Sequence, residues 1–143
     1  SRFIEAAAAG APIEVHGDGA QTRDFVYVGD VAAAVRAALF GPPGSGEVYN
    51  IGAGVETSVR ALAEQVRAAC ASASPIVTGP ARPGDIRRSC ADIGRARAAL
   101  GYAPSVALAD GIARTVAWWR TDAAARSRPA PGPEIDGDAD LDA

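Results

Sequence analysis

Apolar positions along the chain predict helices and short strands in alternation. Spacings of three and four residues predict helices, whereas short alternating or β-branched runs predict strands. The predicted helices cover about residues 2–9, 30–40, 58–71, 92–100 and 106–125. The predicted strands and extended runs are 13–16, 25–28, 48–51 and 75–78. This alternation indicates an α/β or α+β fold, with strands too few and too short for a complete doubly wound sheet.

Polar and turn-forming residues mark where several elements begin and end. Asp30 and Asp92 have the chemistry of helix N-caps, since a carboxylate can accept hydrogen bonds from free first-turn amides. Gly41-Pro42-Pro43-Gly44 ends the helix that Asp30 begins. From residue 127 onward the chain is rich in Pro, Gly and Asp, which predicts a disordered acidic tail. The chain opens inside the first predicted helix without a methionine, so we expect that its start is not a natural domain boundary.

Length and composition narrow the class of protein. The 143 residues suffice for one domain with a hydrophobic core, and 48% of them are hydrophobic. No apolar run is long enough to span a bilayer, and the N-terminus lacks the pattern of a signal peptide. A soluble, cytoplasmic protein is therefore expected. The net charge of -3 comes without a basic cluster, which argues against a nucleic-acid or membrane partner.

The supply of chemically reactive side chains is limited. All fourteen basic residues are arginine, so a Schiff base or a tyrosine–lysine pair is excluded for this chain alone, whereas arginine suits phosphate well. Cys70, Cys90 and the single histidine, His16, lack the number and spacing of a zinc site, so no metal is expected. His16 has no nucleophile motif beside it, which argues against a catalytic triad. We interpret both cysteines as half-buried thiols.

Gly52-Ala53-Gly54 lies between a predicted strand and a predicted helix, where a dinucleotide-binding turn would stand. Thr57 replaces the third glycine of that fingerprint, and no acidic residue ends the next strand. We therefore interpret the segment as a turn that needs small residues, and not as a cofactor site.

Two arginines in glycine-containing loops are the best candidates for ligand contacts. Arg23 follows Gly17-Asp18-Gly19, and Arg82 begins the turn Arg82-Pro83-Gly84-Asp85. Glycines let backbone and ligand approach closely, and each guanidinium is a fork suited to a diphosphate. A surface salt bridge is the alternative for either arginine alone, but the pair favours anion binding. Asp85 either accepts hydrogen bonds from sugar hydroxyls or binds turn amides.

Three further residues have both a binding and a structural interpretation. His16, at a predicted turn, either offers its ring to a nucleobase or has no ligand. Tyr27 would offer its ring in the same way, but its apolar surroundings favour a place in the core. Asn50, at a predicted strand end, either contacts a ligand or satisfies backbone groups, and we favour the second interpretation.

These segments resemble the C-terminal half of NAD-dependent sugar-nucleotide epimerases and dehydratases, the extended short-chain dehydrogenase/reductases that include UDP-glucose 4-epimerase. The resemblance rests on residues 12–31, 48–52, 82–86 and 108–119 and covers about residues 2–120. It implies an α/β fold of Rossmann type whose NAD-binding portion is largely missing. Residues 1–120 would form the nucleotide-sugar-binding portion, in which the helix and strand of 30–52 would pack on the missing Rossmann domain. Residues 121–143 would be the end of the last helix and the tail.

The resemblance also implies roles for single residues. Arg23 and Arg82 would grip the diphosphate of a UDP- or dTDP-sugar, Asp85 would hydrogen-bond the nucleotide ribose, and Asn50 would lie near the same pocket. His16 stands where the family often has an aromatic residue that packs on the base, and histidine can stack too. NAD is the cofactor of the family.

The chain departs from the family in the residues that bind NAD and carry out the reaction. The glycine-rich NAD turn and the catalytic Tyr-x-x-x-Lys pair are absent, since Tyr27, Tyr49 and Tyr102 each lack a lysine four residues later. In the family that lysine lowers the tyrosine pKa, so that the phenol can act as a base while the nicotinamide takes a hydride. We therefore predict that this chain alone has no epimerase or dehydratase activity and holds no catalytic residue.

Two hypotheses follow. The chain is either a piece of an epimerase, dehydratase or related enzyme, or a stand-alone domain that binds nucleotide sugars or acts as a scaffold. If the chain is such a piece, the apolar faces of the helix after Asp30 and of the strand at Val48, which the missing domain would normally cover, would be exposed. Such a patch predicts poor solubility of the isolated chain or its association into homo-oligomers.

Overall fold

The computed structural model describes residues 2–41 and 46–126. Its helices are α1 (Arg2–Ala8), α2 (Val28–Phe40), α3 (Val59–Ala69), α4 (Gly94–Leu100) and α5 (Leu108–Arg126). Its strands are β1 (Ile13–His16), β2 (Thr22–Asp24), β3 (Glu56–Ser58) and β4 (Ile76–Gly79). α2 ends at Phe40 with Gly41 as its C-cap, so the predicted helix end is confirmed, whereas residues 42–44 of that turn and the predicted acidic tail from residue 127 lie outside the described residues.

The strands form two pairs of different kind. β1 and β4 are parallel, with Ile13 opposite Ile76 and His16 opposite Gly79. β2 and β3 are antiparallel. In β1, Ile13 and Val15 have no exposed surface while Glu14 faces solvent, so the alternation of the sequence buries one face of the strand. Helices and strands are intermixed along the described chain, and the predicted α/β class is confirmed.

The main core lies where α1 and α3 pack on β1 and where α5 packs on α3. α3 begins after Ser58, whose hydroxyl accepts a hydrogen bond from the Ala61 amide and so caps the helix. The buried members of this core, in two adjoining clusters, are Ile4, Ala7, Ile13, Val15, Ala63, Val66, Ile112 and Val116. Packing of this core fixes β1, and with it the position of its last residue, His16.

A smaller core joins α2 to α4. Ala34 and Ala96 are buried there with Ile93 and Tyr102. The Tyr102 hydroxyl donates a 2.7 Å hydrogen bond to the carbonyl oxygen of Gly52, which satisfies the phenol inside the cluster. The segment around Gly52 is therefore held against this core.

Two predicted extended runs are not strands. Residues 48–51 have strand-like composition, but no strand among the described residues pairs with them, and a strand exists only through such pairing. In the run 25–28, Tyr27 is the N-cap of α2 and Val28 its first residue. The run therefore leads into a helix.

The sequence predicted that Asp30 caps its own helix, and this prediction is wrong. The helix α2 starts two residues before Asp30. The Asp30 carboxylate is 4% exposed and points to the loop before α5. Its Oδ1 accepts hydrogen bonds from the Ser105 amide at 3.0 Å and the Ser105 hydroxyl at 2.8 Å, and its Oδ2 accepts one from the Val106 amide at 3.2 Å. Asp30 thus ties the start of α2 to the approach of α5.

One face of α2 is apolar and exposed. Val28, Val35 and Leu39 expose between 53% and 72% of their surface, and Val48 beyond the helix exposes 80%. The spacing of the three helical residues places them on one stripe. The exposed patch expected from the sequence is therefore present. None of the described helices is both long enough and apolar enough to cross a membrane.

Candidate functional site

Four predicted site residues meet beside the ends of the parallel pair. β1 ends at His16 and β4 ends opposite it at Gly79, so the loops that follow both strands leave from the same edge. The loop after β4 places Arg82 and Asp85 there, and β2 adds Arg23. His16, Arg23, Arg82 and Asp85 line one cavity of about 390 Å³.

Arg23 is held by three hydrogen bonds. Its Nη1 donates to the carbonyl oxygens of Thr22 at 2.7 Å and Ile86 at 2.6 Å, and its Nη2 lies 2.5 Å from Asp85 Oδ1. The side chains of Arg23 and Asp85 are 29% and 30% exposed, so the ion pair is partly shielded from water. Asp85 thus binds and orients Arg23, and both side chains still reach the cavity.

Arg82 is exposed at the opening of the cavity. Its Nη2 lies 2.8 Å from Nε2 of His16. The Arg82 loop is a tight turn in which the Asp85 amide donates to the Arg82 carbonyl oxygen at 3.2 Å. Gly84, with φ of +76°, takes the left-handed conformation that this turn requires. The turn therefore brings Arg82 and Asp85 to the same cavity from one short segment.

Other residues complete the cavity wall. Phe3, Ala6 and Val59 supply apolar surface, and Gln21 lies below them, buried, with its Nε2 donating to the His16 carbonyl oxygen at 2.9 Å. Sequence reasoning did not single out these residues. Their place depends on how α1 and α3 pack over β1, and no local pattern in the sequence indicates it.

Asn50 does not lie at this cavity, so its expected position is corrected. It lines a separate cleft together with Cys90, and its Nδ2 lies 3.5 Å from the Asp92 carbonyl oxygen. The predicted strand that ends near Asn50 is an unpaired loop in the described part of the chain, and this loop runs along α4.

The Gly52–Gly54 segment is used structurally. Asp24 accepts hydrogen bonds from the amides of Ala53 at 2.7 Å, Gly54 at 3.0 Å and Ala91 at 3.1 Å. A Cβ on Gly52 would lie 2.7 Å from the Cβ of Ala91, so only glycine fits. The amides that a dinucleotide turn would offer to a pyrophosphate are occupied by Asp24, and β3 follows instead of a helix. The segment does not fit NAD.

Two of the tyrosines, Tyr49 and Tyr102, have a pKa that is raised above the ordinary value. Burial is the main cause that raises the pKa of Tyr102, with Asp30 and Asp24 adding to it. Partial desolvation, with Glu47 nearby, likewise raises the pKa of Tyr49. Tyr27 lies half-buried with the Arg114 guanidinium 5.4 Å from its ring centre, in an apolar cavity apart from His16. A phenol that acts as a base near neutral pH needs a lowered pKa, the opposite of what Tyr49 and Tyr102 show.

Comparison with known proteins finds a matching family model and sequence relatives. The family model of GDP-mannose 4,6-dehydratase matches residues 1–115. The chain is 48% identical over 119 residues to a UDP-glucose 4-epimerase of Mycolicibacterium smegmatis, covering 82% of this chain and 37% of the relative. It is 38% identical over 116 residues to a dTDP-glucose 4,6-dehydratase of Streptomyces niveus, covering 80% of this chain and 34% of that relative. The chain thus spans little more than a third of these relatives.

Solved structures agree with the sequence relatives. The Thermotoga maritima UDP-glucose 4-epimerase with UDP-glucose superposes with a TM-score of 0.77 at 37% identity, over 85% of this chain and 38% of that one. The Bacillus cereus UDP-glucuronic acid 4-epimerase, in complex with UDP-glucuronic acid and NAD, gives 0.77 at 30% identity, over 84% and 38%. The family model, the relatives and the shared fold agree, and the chain belongs to the family of nucleotide-sugar epimerases and dehydratases that includes GDP-mannose 4,6-dehydratase.

Proposed function

We propose that this chain is the nucleotide-binding part of a nucleotide-sugar epimerase or dehydratase and that it grips the diphosphate of a UDP- or dTDP-sugar. The observation that carries the proposal is the convergence of Arg23 and Arg82 on one cavity beside the ends of β1 and β4. The charge of the cavity supports the proposal, because three arginines line it, Arg2 among them, and only two acidic residues, Glu14 and Asp85. A diphosphate carries the opposite charge and accepts the bidentate hydrogen bonds that guanidinium groups make.

The two arginines would act differently. Arg23 is fixed by Asp85 and by two carbonyl oxygens, so it offers a preset positive group at little cost in side-chain entropy. Arg82 is exposed and lies 2.8 Å from His16, so it would meet the ligand from the side of the exposed turn. Asp85 would reach the ribose hydroxyls with a carboxylate oxygen that Arg23 leaves free, and the ring of His16 would face the nucleobase.

We also propose that the chain alone does not catalyse the family's reaction. The sequence holds no lysine, and the pKa of the phenols of Tyr49 and Tyr102 is raised. In the segment 52–54, which resembles a dinucleotide turn, the amides of Ala53 and Gly54 are bound to Asp24. Whether the parent reaction is epimerisation or dehydration depends on groups outside this cavity. No catalytic step is assigned to these residues.

Calorimetric titration of the purified chain with UDP, and separately with dTDP, tests the binding proposal. We expect micromolar affinity for one or both nucleotides. Arg23→Ala and Arg82→Ala should each weaken it at least tenfold, since a charge-assisted hydrogen bond contributes about 1.5–3 kcal/mol. Arg97→Ala, an exposed arginine on α4, is the matched control and should change affinity less than about twofold. Equal losses in all three variants, or no binding by a folded chain, would contradict the proposal.

Incubation of the chain with NAD and UDP-glucose tests the second proposal. Chromatography should show no C4 epimer and no dehydrated product above the protein-free control. Turnover that scales with the concentration of the chain and persists through purification would contradict it.

A further inference from the structure

We propose that His16 is a positioning residue, whose imidazole Nε2 accepts a hydrogen bond from Arg82 and holds this guanidinium over the cavity. The inference rests on the proposed function, because it assigns Arg82 to the diphosphate. It differs from the role that the family resemblance implies for His16, in which the ring only packs on a nucleobase.

The contact between the two side chains is close and specific. Nη2 of Arg82 lies 2.8 Å from Nε2 of His16. Within residues 2–41 and 46–126 this is the one hydrogen bond that the Arg82 side chain makes, whereas the Arg23 side chain makes three. The orientation of the exposed arginine therefore depends on the histidine.

The fold fixes the histidine better than the arginine. His16 is the last residue of β1, lies opposite Gly79 of β4, and its carbonyl oxygen accepts from Gln21. The Glu14 carboxylate lies in the space that a side chain at Gly79 would occupy, so the glycine leaves room for it beside the strand end. A half-buried ring on a paired strand can thus serve as the anchor for a side chain on an exposed turn.

The contact also defines the tautomer of the neutral ring. A guanidinium has only hydrogen-bond donors, so Nε2 must be the acceptor and the ring must carry its hydrogen on Nδ1. Nδ1 is buried, makes no hydrogen bond in the part of the chain that the structure describes, and lies 3.9 Å from Glu14 Oε1. A small shift of Glu14 would let this nitrogen donate and would fix the same tautomer.

Orientation of Arg82 before binding has a measurable consequence. A free arginine side chain loses rotamer entropy when it binds a diphosphate, and a preorganised one loses less. Loss of the acceptor at position 16 should therefore weaken nucleotide binding about two- to tenfold. An aromatic ring without an acceptor would keep the stacking surface but not this effect.

The tautomer can be measured without any ligand. His16 is the only histidine in the chain, so its ring nitrogens give the only imidazole signals in a two-bond ¹H–¹⁵N spectrum. At mildly alkaline pH, where imidazole is neutral, we expect the hydrogen on Nδ1. In Arg82→Ala this preference should shift toward Nε2. A wild-type ring with its hydrogen on Nε2 would overturn the inference.

Nucleotide titration completes the test. With UDP and with dTDP, His16→Phe should weaken binding two- to tenfold, and His16→Gln should restore most of it, because its Oε1 can accept from Arg82 while lacking a ring. In Arg82→Ala, adding His16→Phe should cause no further loss. Additive losses, no rescue by glutamine, or tighter binding by His16→Phe would overturn the inference. If Arg82→Ala binds nucleotide as tightly as wild type, the proposed function fails. If His16→Phe binds as tightly as wild type while Arg82→Ala binds more weakly, only the inference about His16 fails.

Discussion

Asp30→Asn should destabilise the fold strongly although the two side chains have nearly the same shape. The Asp30 carboxylate is almost fully buried and accepts three hydrogen bonds, two from Ser105 and one from the Val106 amide. An asparagine can keep its oxygen toward Ser105, but its NH₂ group would then face the Val106 amide. Two donors would oppose each other at a junction between α2 and the loop before α5.

The size of the effect follows from these contacts. Two charge-assisted hydrogen bonds become neutral ones, at about 1 kcal/mol each, and one partly buried amide loses its acceptor, at about 1–3 kcal/mol. The sum is about 3–5 kcal/mol, and relaxation of the loop should reduce it to about 3 kcal/mol. Because a domain is stabilised by about 5–15 kcal/mol in total, this should lower Tm by about 10 °C.

Urea unfolding and thermal melting of wild type, Asp30→Asn and Asp110→Asn measure this directly. Asp110 is exposed in the first turn of α5 and its carboxylate makes no hydrogen bond in the described part of the chain, so its change should cost less than about 1 kcal/mol. A loss below 1 kcal/mol in Asp30→Asn, or equal losses in both variants, would refute the assignment of Asp30 as the tie between α2 and α5.

The pH dependence gives the same assignment a second test. Burial acts to raise the pKa of Asp30, but the hydrogen bonds from Ser105 and Val106 together hold the pKa below its ordinary value. A carboxyl group whose pKa is lower in the folded state than in the unfolded state stabilises the fold at pH values above its unfolded-state pKa, near 3.9. This contribution is lost as the pH falls through the folded-state pKa. The stability gap between wild type and Asp30→Asn should therefore narrow below about pH 4.

Three further changes test other parts of the structure. Asp24→Asn should raise the free energy of the folded state by about 2–3 kcal/mol, measured by urea unfolding, because Asp24 binds three loop amides; a loss below 0.5 kcal/mol would contradict this. Tyr102→Phe should cost about 1 kcal/mol by losing the bond to Gly52, and a neutral result would argue against that bond. Val35→Lys with Leu39→Lys should reduce self-association in light scattering, and a clean wild-type monomer would contradict the expected association.

Local patterns predicted the elements that local forces determine. The alternation in Ile13–His16 and the stripe along α3 and α5 indicate which side chains are buried, and all of these elements are present. The turn at Arg82 was also predictable, because proline and glycine restrict its backbone. These features need only the sequence within a few residues of each other.

Features that depend on distant partners were not predictable. The strands β2 and β3 each consist of three polar residues, and they form strands only because they pair with each other. Residues 48–51 have the composition of a strand but lack a partner, so they form a loop and carry Asn50 into another cleft. The contact between His16 and Arg82 likewise joins residues 66 positions apart, and only the parallel pairing of β1 and β4 brings them together.

The most direct test of the central claim is an NMR titration of the ¹⁵N-labelled chain with UDP. If Arg23 and Arg82 grip the diphosphate, the largest amide shifts should fall at Gly17, at Thr22 and Arg23, and in the turn 82–86, all around the cavity beside the ends of β1 and β4. Asn50 and the exposed face of α2 should keep their free shifts. Shifts that concentrate at Asn50 or along α2, or none by a folded chain at millimolar UDP, would contradict the account.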